Sequence, residues 1–174
     1  MILGLDISTS ITGLAVVDKD LNLVYNNHVD LRKEENIFSK AGKVKNMLLE
    51  IKKKFNITKI TIEQPFTFFN SGGSSAKTMA MLQRFNGMIS WITVEVFSTE
   101  PSYITASEAR RLCGVKVNRG ENAKENALKA VVDMYPNFEV EWTKQNNPKP
   151  GYYDRADGVV IAKAGAIQCL IQKN

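Results

Sequence analysis

Apolar and polar positions follow three rhythms along this chain. Up to residue 29, short apolar runs are separated by turn residues. Ile2-Leu3-Gly4-Leu5-Asp6-Ile7 reads as a buried strand and Gly13-Leu14-Ala15-Val16-Val17 as a second. After a hairpin turn at Asp18-Lys19-Asp20, Leu21-Asn22-Leu23-Val24-Tyr25 reads as a third, so the start is an antiparallel meander. The period then lengthens to that of a helix. Phe38, Ala41, Val44, Leu48 and Ile51 fall on one stripe with lysines opposite, predicting an amphipathic helix over 37–54. Lys59-Ile60-Thr61-Ile62-Glu63 is a β-branched strand, which a helical crossover places parallel to the first.

Gln64 to Ser75 is a loop rich in Pro, Asn, Ser and Gly. From Ala76 to Val96, helical spacing returns at Met79, Leu82, Phe85, Met88, Ile89 and Ile92. Pro101-Ser102-Tyr103-Ile104-Thr105 fits a short strand. Thr105 and Glu108 have the spacing of a capping box for a helix through Leu112, with Gly114 positioned to end it. A further helix spans Glu121 to Tyr135 and stops at Pro136. A polar loop covers 143–153, and a last helix runs from Asp154 to Ile171. The order β-β-β-α-β-α-β-α-α-α implies an α/β fold, a mixed five-stranded sheet flanked by helices on both faces. An opening meander followed by helical crossovers is the order of ribonuclease H-like folds. No repeat, low-complexity tract or linker divides the 174 residues, so one domain over 1–174 is expected.

Composition narrows the function classes. With 44% hydrophobic and 24% charged residues, neither disorder nor a fibrous repeat fits. No apolar run approaches the roughly 20 residues of a bilayer span, and no basic prelude opens the chain. A soluble cytoplasmic protein without a membrane partner is expected. Cys113 and Cys169 are too few and too far apart for a disulfide framework or a zinc site, and Cys113 reads as a small buried hydrophobe. The formal net charge of +5 leans towards a polyanionic partner. His28 is the single histidine, so a Ser-His-Asp, Cys-His or multi-histidine site would rest on it alone. Chemistry here falls to carboxylates.

Four carboxylates stand out. Asp6 lies within an apolar strand, where an unpaired charge is costly, and Glu63 ends another strand with the same difficulty. Asp154 and Asp157 lie at i and i+3 in the first turn of the last helix, on one face. Each alone has a plain structural use. Asp154 could be an N-cap, Asp6 a strand-end acid bonded to amides, and Glu63 a solvated strand end. As a set they repel one another, and divalent cations with hard oxygen ligands, Mg²⁺ or Mn²⁺, relieve that repulsion. An acidic pit in a basic protein suits phosphodiester cleavage by two metals roughly 4 Å apart, with lysines and arginines holding phosphates.

Three segments carry a resemblance. Gly4-Leu5-Asp6-Ile7-Ser8-Thr9-Ser10-Ile11-Thr12-Gly13, Ile62-Glu63-Gln64-Pro65-Phe66 and Asp154-Arg155-Ala156-Asp157-Gly158-Val159-Val160-Ile161-Ala162 resemble the RuvC family of Holliday junction resolvases. The order matches the family's and the motifs span nearly the whole chain. The resemblance implies a ribonuclease H-like homodimer that nicks two strands of a four-way DNA junction, with two Mg²⁺ per site and Mn²⁺ able to substitute. Asp6, Glu63, Asp154 and Asp157 match the family's four metal-binding acids. Bacterial members usually carry Asp-Pro-Gly-Ser at the first motif. Asp6-Ile7-Ser8-Thr9 looks more like the viral (phage) branch, for which a less strict branched-DNA substrate and a bacterial or infected-cell cytoplasm are expected.

The loop beside the acids holds Phe66, Phe68 and Phe69. Exposed rings there would stack on unpaired bases or wedge into a base step, and Phe66 matches the family's junction-inserting phenylalanine. The bland use of Phe66 or Phe68 is to anchor the loop to the core. Lys124 matches, more loosely, a phosphate-contacting lysine. Arg110, Arg111, Lys116 and Arg119 are candidates to line the same DNA channel. The helix from Ala76, with Met79, Leu82, Met88 and Trp91, has apolar surface beyond what one sheet face needs, and part of it could serve a dimer.

Other readings compete. A ribonuclease H or RNA-processing nuclease could use the same fold and acids. A catalytically silent branched-DNA binder would keep the fold without nicking. Gly4-Leu5-Asp6-Ile7-Ser8-Thr9 also resembles the phosphate loop of actin-like ATPases, but those enclose a nucleotide between two such domains, and this chain is too short for both. No nucleotide cofactor is expected.

Overall fold

The computed structural model describes residues 1–65 and 76–172. Strands β1 (Ile2–Asp6), β2 (Ile11–Val17) and β3 (Leu23–Asp30) form the meander, followed by α1 (Ile37–Lys54), β4 (Lys59–Glu63), α2 (Ala76–Phe97), β5 (Pro101–Ile104), α3 (Ala106–Leu112), α4 (Ala123–Met134) and α5 (Tyr152–Ile171). The sheet order is β3-β2-β1-β4-β5. β1 and β2 pair antiparallel, as do β2 and β3, while β4 lies parallel to both β1 and β5. This is the mixed five-stranded sheet expected from the sequence. No described helix is long and apolar enough to cross a membrane.

The alternation of side chains along a strand assigns every residue to a face. Leu3 and Leu5 of β1, and Ile7 just past its end, join Leu14, Val16, Ile60 and Ile62 in a core packed against α1 and α2. Ile2 lies on the opposite face, with Ala15 and Val17 of β2, against α3, α4 and α5. Gly4 and Asp6 share the face of Ile2, so the period of two that buries Leu3 and Leu5 also aims Asp6 at α5. On β4 the same period places Thr61 and Glu63 on the α5 side, opposite Ile60 and Ile62.

Small residues let α5 lie directly on this sheet. A Cβ on Gly4 would sit 2.2 Å from Ala162 N and 2.6 Å from Gly158 O. One on Gly165 would meet Thr61 Oγ1 at 2.1 Å. The helix therefore crosses from Gly13 on β2, over Gly4 on β1, to Thr61 on β4. Its N-terminus ends at the edge of the sheet where β1 and β4 finish.

Several boundaries differ from the sequence reading. β3 runs from Leu23 to Asp30 rather than over 21–25, because Asp18 Oδ1 binds the amides of Asp20 and Asn22 and Leu21 takes a φ of 67° in the turn. The polar run Asn26-Asn27-His28 continues as an edge strand paired with Ala15, Leu14 and Gly13. β2 begins at Ile11, and α4 at Ala123 behind the N-cap Asn122. Phe38 faces solvent at 74% exposure; Ala41, Val44, Leu48 and Ile51 alone form the buried stripe of α1. Phe38 is the second helical residue after the N-cap Asn36, ahead of the point where α1 packs on the sheet.

Candidate active site

Asp6 and Glu63 close two neighbouring parallel strands, one residue past the paired Leu5 and Ile62. The side-chain amide of Asn86 on α2 donates to Glu63 O at 3.2 Å and pins the end of β4. Across from these strand ends, α5 begins at Tyr152, two residues before Asp154. Its N-cap is Gly151, with a φ of 95° and no side-chain cap. Asp154 is therefore an acid in the first turn, not the N-cap, and Asp157 stands in the second turn rather than the first. At i and i+3 they share a face, with side chains 15% and 12% exposed.

The structure thus brings Asp6, Glu63, Asp154 and Asp157 to one end of the sheet, close enough for their charges to act on one another. Burial is the main cause that raises Asp6 well above the usual carboxylate range, followed by the charges of Glu63 and Asp157. Burial and the charge of Asp157 push Glu63 up to about 7. Burial also pushes Asp157 up to about 6, against the opposing pull of Lys124 and Arg110.

Lys124, in the first turn of α4, reaches into the cluster. Its Nζ donates to Asp154 Oδ1 at 3.2 Å and lies 3.7 Å from Asp157 Oδ2. Arg110 on α3 bears on Glu63 and Asp157 through its charge. Arg111, Lys116 and Arg119 are exposed along α3 and the turn that follows it, and the Lys116 carbonyl accepts from Asn126 Nδ2. Phe66, Phe68 and Phe69 lie outside the described residues. Cys113 is half-buried against the α5 core, its Sγ donating to Val160 O at 3.3 Å, as its reading as a small hydrophobe implied.

Two neighbours of the acids were not foreseen. Arg155, between the paired aspartates in sequence, turns away from them. Its guanidinium stacks over the rings of Tyr152 (4.5 Å) and Phe138 (5.3 Å), and its Nε donates to Asn26 Oδ1 at 2.7 Å. It clamps the start of α5 to β3. His28, paired across the sheet with Gly13, packs its ring on Gly151, where a Cβ would come within 2.5 Å of it. Its Nδ1 is buried without a partner, and burial holds the imidazole below its ordinary range. Neither contact has a local signal, because each joins residues more than 120 positions apart.

As placed, no three acidic, histidine or cysteine side chains among the described residues stand close enough together to hold a metal ion. The donor chemistry nevertheless fits Mg²⁺ or Mn²⁺. All four side chains offer hard carboxylate oxygens, and their mutual repulsion calls for positive charge that Lys124 supplies only in part.

This crowding sets a stability profile. Glu63 shifts from an ordinary 4.5 to about 7 and Asp157 from 3.8 to about 6, so the folded state binds these protons more tightly than the unfolded chain. Stability is present below the ordinary values and is lost as pH rises through the folded ones. In EDTA, the melting temperature is expected to fall by roughly 5–10 °C between pH 5 and pH 8. A melting temperature unchanged or higher at pH 8 would contradict the crowding.

No family model matches the chain, and no curated protein matches its sequence. Solved structures do match. The RuvC of T. thermophilus in complex with a Holliday junction substrate aligns with a TM-score of 0.69 at 16% identity, over 98% of this chain and 94% of that one. The fold is RuvC-like. A second Thermus thermophilus RuvC structure aligns at a TM-score of 0.65 and 17% identity, over 98% and 96% of the two chains. The yeast mitochondrial Holliday junction resolvase Ydc2 aligns at 0.62 and 15%, over 99% of this chain and 80% of that one. The RuvC-like sheet and helices agree with the α/β, ribonuclease H-like fold expected from the element order.

Proposed function

We propose that the protein is a divalent-metal-dependent endonuclease that binds branched DNA, four-way junctions above all, and nicks it by phosphodiester hydrolysis. The observation that carries this reading is the convergence of Asp6, Glu63, Asp154 and Asp157, from three distant segments, at one end of a RuvC-like sheet. These four would hold two Mg²⁺, or Mn²⁺ in their place, and the metals when bound would activate water and offset charge on the leaving oxygen. Asp154 Oδ2 and Asp157 Oδ1, the oxygens not facing Lys124, can take the proton of the attacking water. Lys124 and Arg110, whose charges bear on the acids, are proposed to hold the scissile phosphate, and the exposed Arg111, Lys116 and Arg119 to contact the DNA backbone beyond it. Phe66, Phe68 and Phe69 are proposed to engage unpaired bases at the branch point.

A homodimer is part of this reading, since resolving a junction takes two nicks. Its support is exposed apolar surface on α2, where Met81, Trp91 (65% exposed) and Val94 are outside the buried core. Trp91→Glu is expected to shift the protein to monomer in sedimentation; an unchanged mass would remove this face from the dimer. A phage origin and a cytoplasmic setting belong to the same proposal.

The deciding experiment incubates the protein with labelled fixed and mobile four-way junctions and with an RNA–DNA hybrid, in Mg²⁺ and in Mn²⁺. Paired nicks in the junction are expected, with little cleavage of the hybrid. Preference for the hybrid would favour a ribonuclease. Tight junction binding without nicks in either metal would make the protein a silent binder. Binding is also expected to weaken by at least about tenfold between 50 and 200 mM salt, because neutralised phosphates release counterions.

A further inference from the structure

We propose that Lys124 is a built-in substitute for a metal ion: its ammonium occupies the acid cluster until a divalent cation displaces it. This rests on the reading of the four acids as a metal site. Among the described residues, Lys124 is the one cation within salt-bridge distance of any of the four. Its charge bears on Asp6, Asp154 and Asp157, and on Glu63 as well. The other basic side chains nearby are engaged elsewhere or act only at a distance. Arg155 is held by Asn26 and two rings, Lys163 lies over the Tyr135 ring, and Arg110 reaches Glu63 and Asp157 through its field.

The position of Lys124 suits a movable charge. It is the second residue of α4, behind the N-cap Asn122, and its side chain is 53% exposed along a solvent-facing path. An ammonium and a divalent cation compete for the same oxygens. A cation that takes Asp154 Oδ1 and Asp157 Oδ2 must break the lysine's contacts, and this competition lowers the net affinity for metal. Once displaced, the four-carbon stem leaves the ammonium at the mouth of the cluster, free for a phosphate.

The test is calorimetric titration of Mn²⁺ into the EDTA-stripped full chain, without DNA, for the wild type, Lys124→Gln and Lys124→Arg. Lys124→Gln is expected to bind Mn²⁺ about fivefold to tenfold more tightly, the worth of a half-exposed ion pair. Lys124→Arg, which keeps the charge, is expected to stay near the wild type. The metal-free melting temperature of Lys124→Gln should fall, so the rise on adding Mn²⁺ should exceed that of the wild type. Equal or weaker Mn²⁺ binding by Lys124→Gln, with normal binding by the wild type, overturns the inference and leaves the proposed function standing. Failure of both proteins to bind Mn²⁺ overturns the inference together with the metal-site reading beneath it. Should Lys124→Gln not fold, the wild type answers alone. Acetylation of Lys124, followed by mass spectrometry, should run severalfold faster with Mn²⁺ present, and an unchanged or slower rate overturns the proposal.

Discussion

Glu63→Gln is expected to slow nicking of a four-way junction by more than about a hundredfold, the scale of loss when a metal ligand goes, while junction affinity stays within about twofold. The amide has the volume of the carboxylate, and the bond from Asn86 is made to the backbone carbonyl of residue 63, so the end of β4 keeps its anchor. What disappears is one of four mutually repelling charges. The variant should therefore melt higher than the wild type in EDTA at pH 8. That second readout separates loss of a ligand from loss of structure, since a misfolded variant would also be slow but would melt lower. Gel-mapped cleavage rates and filter binding measure the first pair of quantities, and thermal denaturation the third. Nicking at the wild-type rate would remove Glu63 from the site, and with it the case that these acids act together.

Gly13→Ala is expected to cost about 3 kcal/mol or more, at the upper end of overpacking, and to abolish nicking in whatever folds. A Cβ at position 13 would lie 1.7 Å from Asp154 O and 2.2 Å from Asp154 C. Those are backbone atoms of the first turn of α5, so relief comes only if the helix start lifts off β2. Asp154 and Asp157 would lift with it, and Arg155 would lose its reach to Asn26. Gly42→Ala is the matching control. Nothing lies within 4 Å of a Cβ there, on the exposed side of α1, and a helical Ala gains roughly 0.5–1 kcal/mol over Gly. Urea unfolding of the pair measures both. If Gly13→Ala proved as stable as wild type, the close seat of α5 on the sheet would be wrong.

Much of this is legible in the sequence. The β-branched and alternating runs place four of the five strands, while the edge strand β3 extends well past its expected end. Its residues Asn26, Asn27 and His28 carry none of the apolar alternation that marks a half-buried strand, and their pairing is supplied by β2. Phe38 was misjudged for the opposite reason. It obeys the period of α1, but periodicity does not say where along a helix the sheet ends. Asp154 read equally well as a cap until the turn at Gly151 started the helix earlier. Gly151 holds a positive φ there, and its lack of a Cβ makes room for the His28 ring, neither of which the sequence displays locally.

The chain by itself determined which face of each strand is apolar. The period of two that buries Leu3, Leu5, Ile60 and Ile62 on one side necessarily turns Asp6 and Glu63 to the other. It also determined that the last helix carries two acids on one face. Only the tertiary structure decided that these faces meet, because that depends on Gly4, Gly13, Gly158 and Gly165 letting α5 descend onto the sheet. It alone decided that Lys124 enters the cluster while Arg155 leaves it. Both are basic residues beside acidic ones in a sequence, and the choice between them follows from which neighbours, thirty or more than a hundred positions away, come within hydrogen-bonding reach.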